Sequence, residues 1–309
     1  SGAMQTGWIK DQDTWYYLNK DGIMLTGKQE INGVRYYLNA SGAMQTGWKW
    51  LENNWYYYAN SGAMKTGWIK DNEKWYYLSQ DGIMQTGKQE INGSRYYLNT
   101  SGAMQTGWQW LDKHWHYYAD SGAMKTGWLK EQGTWYYLED QEGIMLVGFQ
   151  QVDGKQYYFS ASGAMQTGWK WFDNHYRYFE ASGAMKTGWI KDKGVWYYLN
   201  PEDGIMLVGL HKVNGDHYYF DESGAMQTGW KRLDGNWYYF QTDGSLLKNA
   251  TTPDGYKVNE EGIWRQAVAA VNDEADQSEK KQEANSSIVE QPKQDSNLEA
   301  NASDKKEKE

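Results

Sequence analysis

The stretch Thr6–Gly27, TGWIKDQDTWYYLNKDGIMLTG, returns nearly unchanged over Thr66–Gly87 as TGWIKDNEKWYYLSQDGIMQTG, and its internal order decides the fold. Trp8 opens a short run, Asp11-Gln12-Asp13 interrupts it, Trp15-Tyr16-Tyr17-Leu18 follows, and Gly22 and Met24 lead to the next unit. Two aromatic-rich runs flanking a polar turn read as a β-hairpin, and Asn32-Gly33 and Asp153-Gly154 supply the turn chemistry elsewhere. The glycine-tryptophan step recurs at Gly47-Trp48, Gly67-Trp68, Gly107-Trp108, Gly127-Trp128, Gly168-Trp169, Gly188-Trp189 and Gly229-Trp230. Gly27, Gly87, Gly148 and Gly209 mark the same step, with Lys28, Lys88, Phe149 and Leu210 in place of tryptophan. The spacing is about twenty residues, and the extra residues near Gln141-Glu142 and Pro201-Glu202 fall beside a turn glycine, where a loop absorbs them.

A hairpin of this length cannot bury its faces alone, so the expectation is an all-β repeat solenoid of stacked hairpins. Residues 1–248 form the repeats, 249–266 a terminal cap hairpin, and 267–309 a disordered polar tail or linker. A longer period overlies the short one. One unit carries Trp8 and Trp15, the next Lys28 and Arg35, and the third Trp48, Trp50 and Trp55. The triplet returns as Trp68 with Trp75, Lys88/Arg95, Trp108/Trp110/Trp115, and then as Trp128/Trp135, Phe149/Gln156, Trp169/Trp171/Tyr176.

Composition narrows the function. Aromatic residues make up 17% of the chain although its mean hydropathy is strongly polar, so the rings are spread along it rather than massed in one core. Cysteine is absent, which removes thiol catalysis and thiolate metal sites. A net charge of −9 argues against nucleic acid and suits a cationic ligand. No apolar stretch is long enough to span a membrane. The chain opens at Ser1 within a repeat, so the expectation is a piece of a longer protein that has lost any export signal.

Strand alternation sets Trp15 and Tyr17 on one face of the hairpin and Tyr16 and Leu18 on the other. Trp8 and Trp15 then make two walls of a slot that a tyrosine of the following unit can close. Such a slot holds no acid, base or nucleophile. Its inward π-faces select a cation that sheds water readily, a quaternary ammonium above all, at about 0.5–2 kcal/mol for each contact. Repetition compensates for weak single sites when the ligand is itself displayed along a polymer.

The run Thr6–Gly27 and its copy resemble the choline-binding repeats of pneumococcal surface proteins and autolysins, over nearly all of residues 1–265. The resemblance implies a left-handed β-hairpin solenoid that binds phosphocholine on teichoic and lipoteichoic acids and holds a secreted protein to the cell wall, with choline as ligand and no cofactor. It implies cages of two tryptophans and the next unit's tyrosine: Trp8/Trp15/Tyr37, Trp48/Trp55/Tyr77, Trp68/Trp75/Tyr97, Trp108/Trp115/Tyr137, Trp128/Trp135/Tyr158 and Trp189/Trp196/Tyr219. Taking the second tyrosine of each pair rests on strand alternation, and a shift of one residue would select the first. Trp169/Tyr176/Tyr198 is a weakened cage, and the pair of Trp230 and Trp237 lacks a regular successor to close it. Lys28/Arg35 and Lys88/Arg95 place cations where a cage needs π-faces, and Phe149/Gln156 and Leu210/His217 lose the slot differently.

Other readings compete. The tryptophan pairs are otherwise solenoid core, and Met4, Met24 and Met44 are gap fillers before they are cage walls. Trp50, Trp110 and Trp171 are packing or surface residues, with an accessory sugar or partner contact as the minor reading. His114 and His116 stand two apart on one strand but have no regular partner ligands for a metal. Turn acids such as Asp11, Asp13, Glu52 and Glu73 form no evident hydrolytic pair, so no catalytic residue is assigned. Two further functions stay open: the targeting half of a wall hydrolase or phosphocholine esterase, and a glucan-binding repeat module.

Overall fold

A computed structural model describes residues 4–265 and contains no helix among them. The chain divides into two compact units, one of residues up to 150 with 159–165, the other of residues 151–158 with those from 166 onward. The expected tail, 267–309, lies outside the described residues.

In the first unit the strands are five residues long and pair as antiparallel hairpins, beginning with Gly7–Asp11 and Thr14–Leu18. Two residues turn each hairpin. Gln12 and Asp13 hold φ of 43° and 67°, and Glu52 and Asn53 hold 49° and 62°, as a two-residue turn matched to strand twist requires. The register sets Trp8 opposite Tyr17, Lys10 opposite Trp15 and Ile9 opposite Tyr16. Trp8, Lys10, Trp15 and Tyr17 therefore share one face, and Ile9, Tyr16 and Leu18 share the other.

Successive hairpins stack front to back. The core takes one residue from the end of each second strand: Leu38, Leu78, Leu98 and Leu138 are wholly buried, and Tyr58, Tyr118 and Phe159 nearly or fully so. Methionine ties the stack together. Met24 bridges to Leu18 of its own hairpin, while Met44, after the second hairpin, donates its backbone N–H to the Trp15 carbonyl of the first at 2.8 Å. Met64 does the same to Arg35 at 2.7 Å, and Met84 to Trp55 at 2.9 Å. This ladder is indifferent to whether its acceptor is tryptophan or arginine, so the outward side chains vary without unstacking the hairpins. Gly42 shows how close the packing is. It has φ of 80°, and a Cβ there would come within 2.3 Å of Met24 Sδ.

The second unit repeats the plan. Phe179, Leu199, Phe220 and Phe240 fill the core position, and Met206 and Met226 donate to the carbonyls of Tyr176 and Trp196. Beyond the hairpin Gly229–Leu233 and Asn236–Phe240, the short strands Ala250–Thr251, Lys257–Val258 and Ile263–Trp264 extend its sheet to five strands. They cover the last hairpin's edge, which would otherwise present unpaired backbone groups.

Candidate functional site

Each tryptophan pair forms a right-angled corner. Trp8 and Trp15 have ring centroids 6.5 Å apart at 88°, and Trp48/Trp55, Trp68/Trp75 and Trp108/Trp115 repeat this at 6.4, 6.5 and 6.5 Å. Trp128/Trp135 stand 6.1 Å apart at 90°. In the second unit Trp169/Tyr176, Trp189/Trp196 and Trp230/Trp237 stand 6.3, 6.2 and 6.4 Å apart. The second tryptophan of the corner, at Trp15, Trp55, Trp75, Trp115, Trp135 and Trp196, stays about 40% exposed. A core residue would be covered, so these corners are open slots and not solenoid interior.

The third wall differs from the expectation drawn from strand alternation. Trp8 meets Tyr36, not Tyr37, at 4.8 Å, and Trp48, Trp68 and Trp108 meet Tyr76, Tyr96 and Tyr136 at 4.9, 4.9 and 5.0 Å. Trp169 and Trp189 meet Tyr197 and Tyr218 at 5.0 and 4.9 Å. The cause is the front-to-back stacking. A hairpin turns its tryptophan face forward and receives the back face of its successor, and on that face stands the first tyrosine of the pair. The set expected for Trp75 is corrected in this way: Trp75 keeps its place as the outer wall beside Trp68, but Tyr96 closes their corner and Tyr97 does not. The second tyrosines go elsewhere. Tyr37 and Tyr97 pack on Tyr58 and Tyr118 at 6.1 and 6.2 Å, and Tyr219 stacks on Phe240 at 6.0 Å. Tyr77, Tyr137 and Tyr198 lie against the tryptophan of their own hairpin, Trp68, Trp128 and Trp189. Tyr158 contacts Phe172 at 4.1 Å within the second unit.

Trp8, Trp15 and Tyr36 line a cavity of about 330 Å³ with Met44, Asn60 and Ser61. Trp189, Trp196 and Tyr218 line one of about 380 Å³ with Met226, Thr242 and Asp243. Methionine is thus both stack tie and fourth wall, a role that spacing alone left secondary. Acidic side chains fix some of the indoles: Trp48 and Trp169 donate Nε1–H to Asp71 and Asp192 at 3.1 and 3.2 Å. At the rim of the second cavity, hydrogen bonds from the Ser245 hydroxyl and N–H hold the Asp243 carboxyl below the usual carboxylate range. An ionised carboxylate there adds Coulombic attraction for a cation.

In two of the units without tryptophan, cationic side chains stand at the wall positions, and Lys28 with Arg35 and Lys88 with Arg95 line cavities of about 350 and 330 Å³. Lys28 Nζ lies 4.3 Å above the Tyr56 ring and donates to Glu52 at 2.7 Å, so an intramolecular ammonium takes the aromatic face. Burial acts to lower the Lys28 pKa, but the hydrogen bonds to Glu52 and Tyr56 outweigh it and the value is raised. Arg35 lies between Glu30 and Asp81 at 3.9 and 3.8 Å. Lys88 pairs with Asp112 at 2.5 Å, and Arg95 donates to the Gln141 carbonyl. His116 stands where the equivalent hairpin has Tyr56. It is buried, and burial first, then the Lys88 charge, pushes its pKa down. His114, by contrast, is exposed and its Nδ1 contacts the Asp112 carbonyl at 2.8 Å.

The last corner is closed by the cap. Tyr256 and Trp264 lie 5.7 and 6.4 Å from Trp230, whose indole donates to Asp254 at 2.8 Å and is only 6% exposed. Trp237 is half-buried, and its strand, which is the outer edge in a regular hairpin, pairs with the cap strand so that Trp237 stands opposite Trp264. The expectation that Trp230 and Trp237 wall a choline slot is therefore corrected. Their corner is occupied by the protein's own rings, because the chain end folds back where a successor hairpin would leave an opening. Nothing in the regular spacing pointed to Tyr256 or Trp264, since the cap breaks the repeat.

Comparison with known proteins agrees with this geometry. The choline-binding repeat pattern matches residues 25–66, 65–106, 105–148, 146–187, 166–209 and 207–250, and a cell wall binding repeat matches 6–24. No curated protein is significantly similar in sequence. Among solved structures, CbpJ from Streptococcus pneumoniae is 32% identical, with a TM-score of 0.62 over 77% of this chain and 99% of that one. Choline binding protein F from Streptococcus pneumoniae is also 32% identical, with a TM-score of 0.54 over 86% of this chain and 100% of that one. The same protein has been solved in the presence of a peptidoglycan analogue, with a TM-score of 0.55 to this chain. With repeats matched along most of its length and relatives covered end to end, this chain belongs to the family of choline-binding repeat proteins.

Proposed function

We propose that the chain is a non-catalytic anchor whose open corners take the choline of phosphocholine on teichoic and lipoteichoic acids, holding a secreted protein against the cell wall. One observation carries this reading: the Trp/Trp/Tyr slots recur with the same geometry while half-exposed, although the stack is held by backbone bonds and a separate core. Three π-faces suit a cation with a low dehydration cost, and each contact is worth about 0.5–2 kcal/mol. Single sites are therefore weak, and a polymer carrying many cholines binds through avidity.

Tryptophan fluorescence titrated with millimolar choline should change saturably, and Trp15→Ala should remove one site whereas Arg35→Ala removes none. A flat titration, or one matched by dextran and not by choline, would sink the proposal and favour a glucan-binding module.

A further inference from the structure

Trp50, Trp110 and Trp171 are not cage walls, yet they are the most exposed tryptophans among the described residues, at 54, 56 and 55%. Each stands directly across the hairpin from the outer wall of a corner, opposite Trp55, Trp115 and Tyr176. The ring centroids are 5.4, 5.3 and 4.6 Å apart, and the planes are tilted by 58°, 59° and 61°. Each ring thus packs against the outer wall of a corner while more than half of it remains exposed to solvent.

The remaining tryptophan-pair hairpins carry lysine or arginine at this position. Lys10 and Lys70 are drawn to the turn acids Asp13 and Glu73 at 2.8 and 2.5 Å. Lys130 and Lys191 lie 5.5 Å over the rings of Trp135 and Trp196. A hairpin pairs equally well with lysine there, so folding does not require the indole. An indole combines a large flat apolar face with a polar N–H, the character that makes tryptophan frequent at binding surfaces.

We propose that Trp50, Trp110 and Trp171 are stacking platforms for the sugar ring that bears a cage-bound choline ester. The inference rests on the choline reading above. A lone flat ring gives a cation one wall where the slot gives three, so the ammonium stays in the slot. A pyranose, with its C–H bonds on one face and hydroxyls around its edge, needs one flat apolar surface with polar surroundings. Because the platform adjoins the outer wall, a substituent leaving the slot past that wall reaches it without a gap. The array then holds two classes of cage, one backed by a basic side chain that reads choline alone and one backed by tryptophan that reads choline with its sugar.

The test replaces all three platforms with the neutral residue found at the corresponding position of the strand Gly148–Val152, where Gln151 stands. Wild type and W50Q/W110Q/W171Q are titrated with choline chloride, with phosphocholine, and with the phosphocholine monoester of a methyl hexopyranoside. Purified phosphocholine-bearing teichoic acid is the polymer arm. The expected result is choline affinity unchanged within about twofold, with the sugar ester and the polymer weakened about tenfold, which corresponds to about 1.4 kcal/mol. Equal losses for choline and the ester would show that the three rings only support the cage, and would overturn the platform. So would an ester that binds both proteins no better than phosphocholine. Failure of wild type to bind choline at all would overturn the cage reading and the platform with it, whereas an insensitive polymer with normal choline binding overturns the platform alone.

Discussion

The choice of third wall separates stacking geometry from strand alternation, and it can be tested by paired substitutions. Tyr36 and Tyr96 close the corners of Trp8/Trp15 and Trp68/Trp75. Tyr37 and Tyr97, their immediate neighbours, point to the other face and pack on Tyr58 and Tyr118. Both hairpins lack a tryptophan corner of their own, so neither substitution disturbs a second cage from within. In Y36L/Y96L the apolar volume is largely kept and one π-face is lost from each of two sites. At about 0.5–2 kcal/mol for a cation–π contact, each site should weaken about 2- to 30-fold, given about 1.4 kcal/mol for each factor of ten. In Y37L/Y97L the loss is an aromatic pair, worth about 0.5–1.5 kcal/mol of stability. Equilibrium dialysis with labelled choline, alongside thermal unfolding, reads both quantities. Y36L/Y96L should bind about two fewer cholines in the strong range with a modest change in melting, and Y37L/Y97L should melt earlier with an unchanged isotherm. If Y37L/Y97L loses the sites and Y36L/Y96L keeps them, the front-to-back assignment is wrong.

Because Tyr56 and Met64 line a cavity of about 350 Å³ together with Lys28 and Arg35, K28W/R35W should create a corner there and add one choline to the dialysis stoichiometry; an unchanged count would show that tryptophans and tyrosine do not suffice. Burial pushes the hydroxyls of Tyr58 and Tyr118 up to about 12, so each favours its neutral form in the folded state. That stability is fully present below the unfolded value of about 10 and is lost as pH rises towards 12. Circular dichroism followed with tyrosinate absorbance should show unfolding set in above about pH 10, and Y58F/Y118F should move the onset upward.

Local sequence is enough to specify the hairpin unit, its turns, and the two faces of each strand, because alternation and two-residue turn chemistry act within about fifteen residues. It also specifies which units carry tryptophan corners, since Trp8 and Trp15 meet inside one hairpin. Leu38, Leu78, Leu98 and Leu138 are legible as packed residues for the same local reason. What one hairpin shows its neighbour is a different matter. Tyr36 and Tyr37 are adjacent, aromatic and equally spaced, and nothing local says whether front meets front or front meets back. Only the stack decides that, through the methionine ladder that ties Met44 to Trp15 and Met64 to Arg35. Tertiary structure likewise settles that Lys28 fills the Tyr56 face and that Tyr256 and Trp264 occupy the corner of Trp230 and Trp237. These are contacts between units, set by which surfaces remain uncovered once each hairpin has formed.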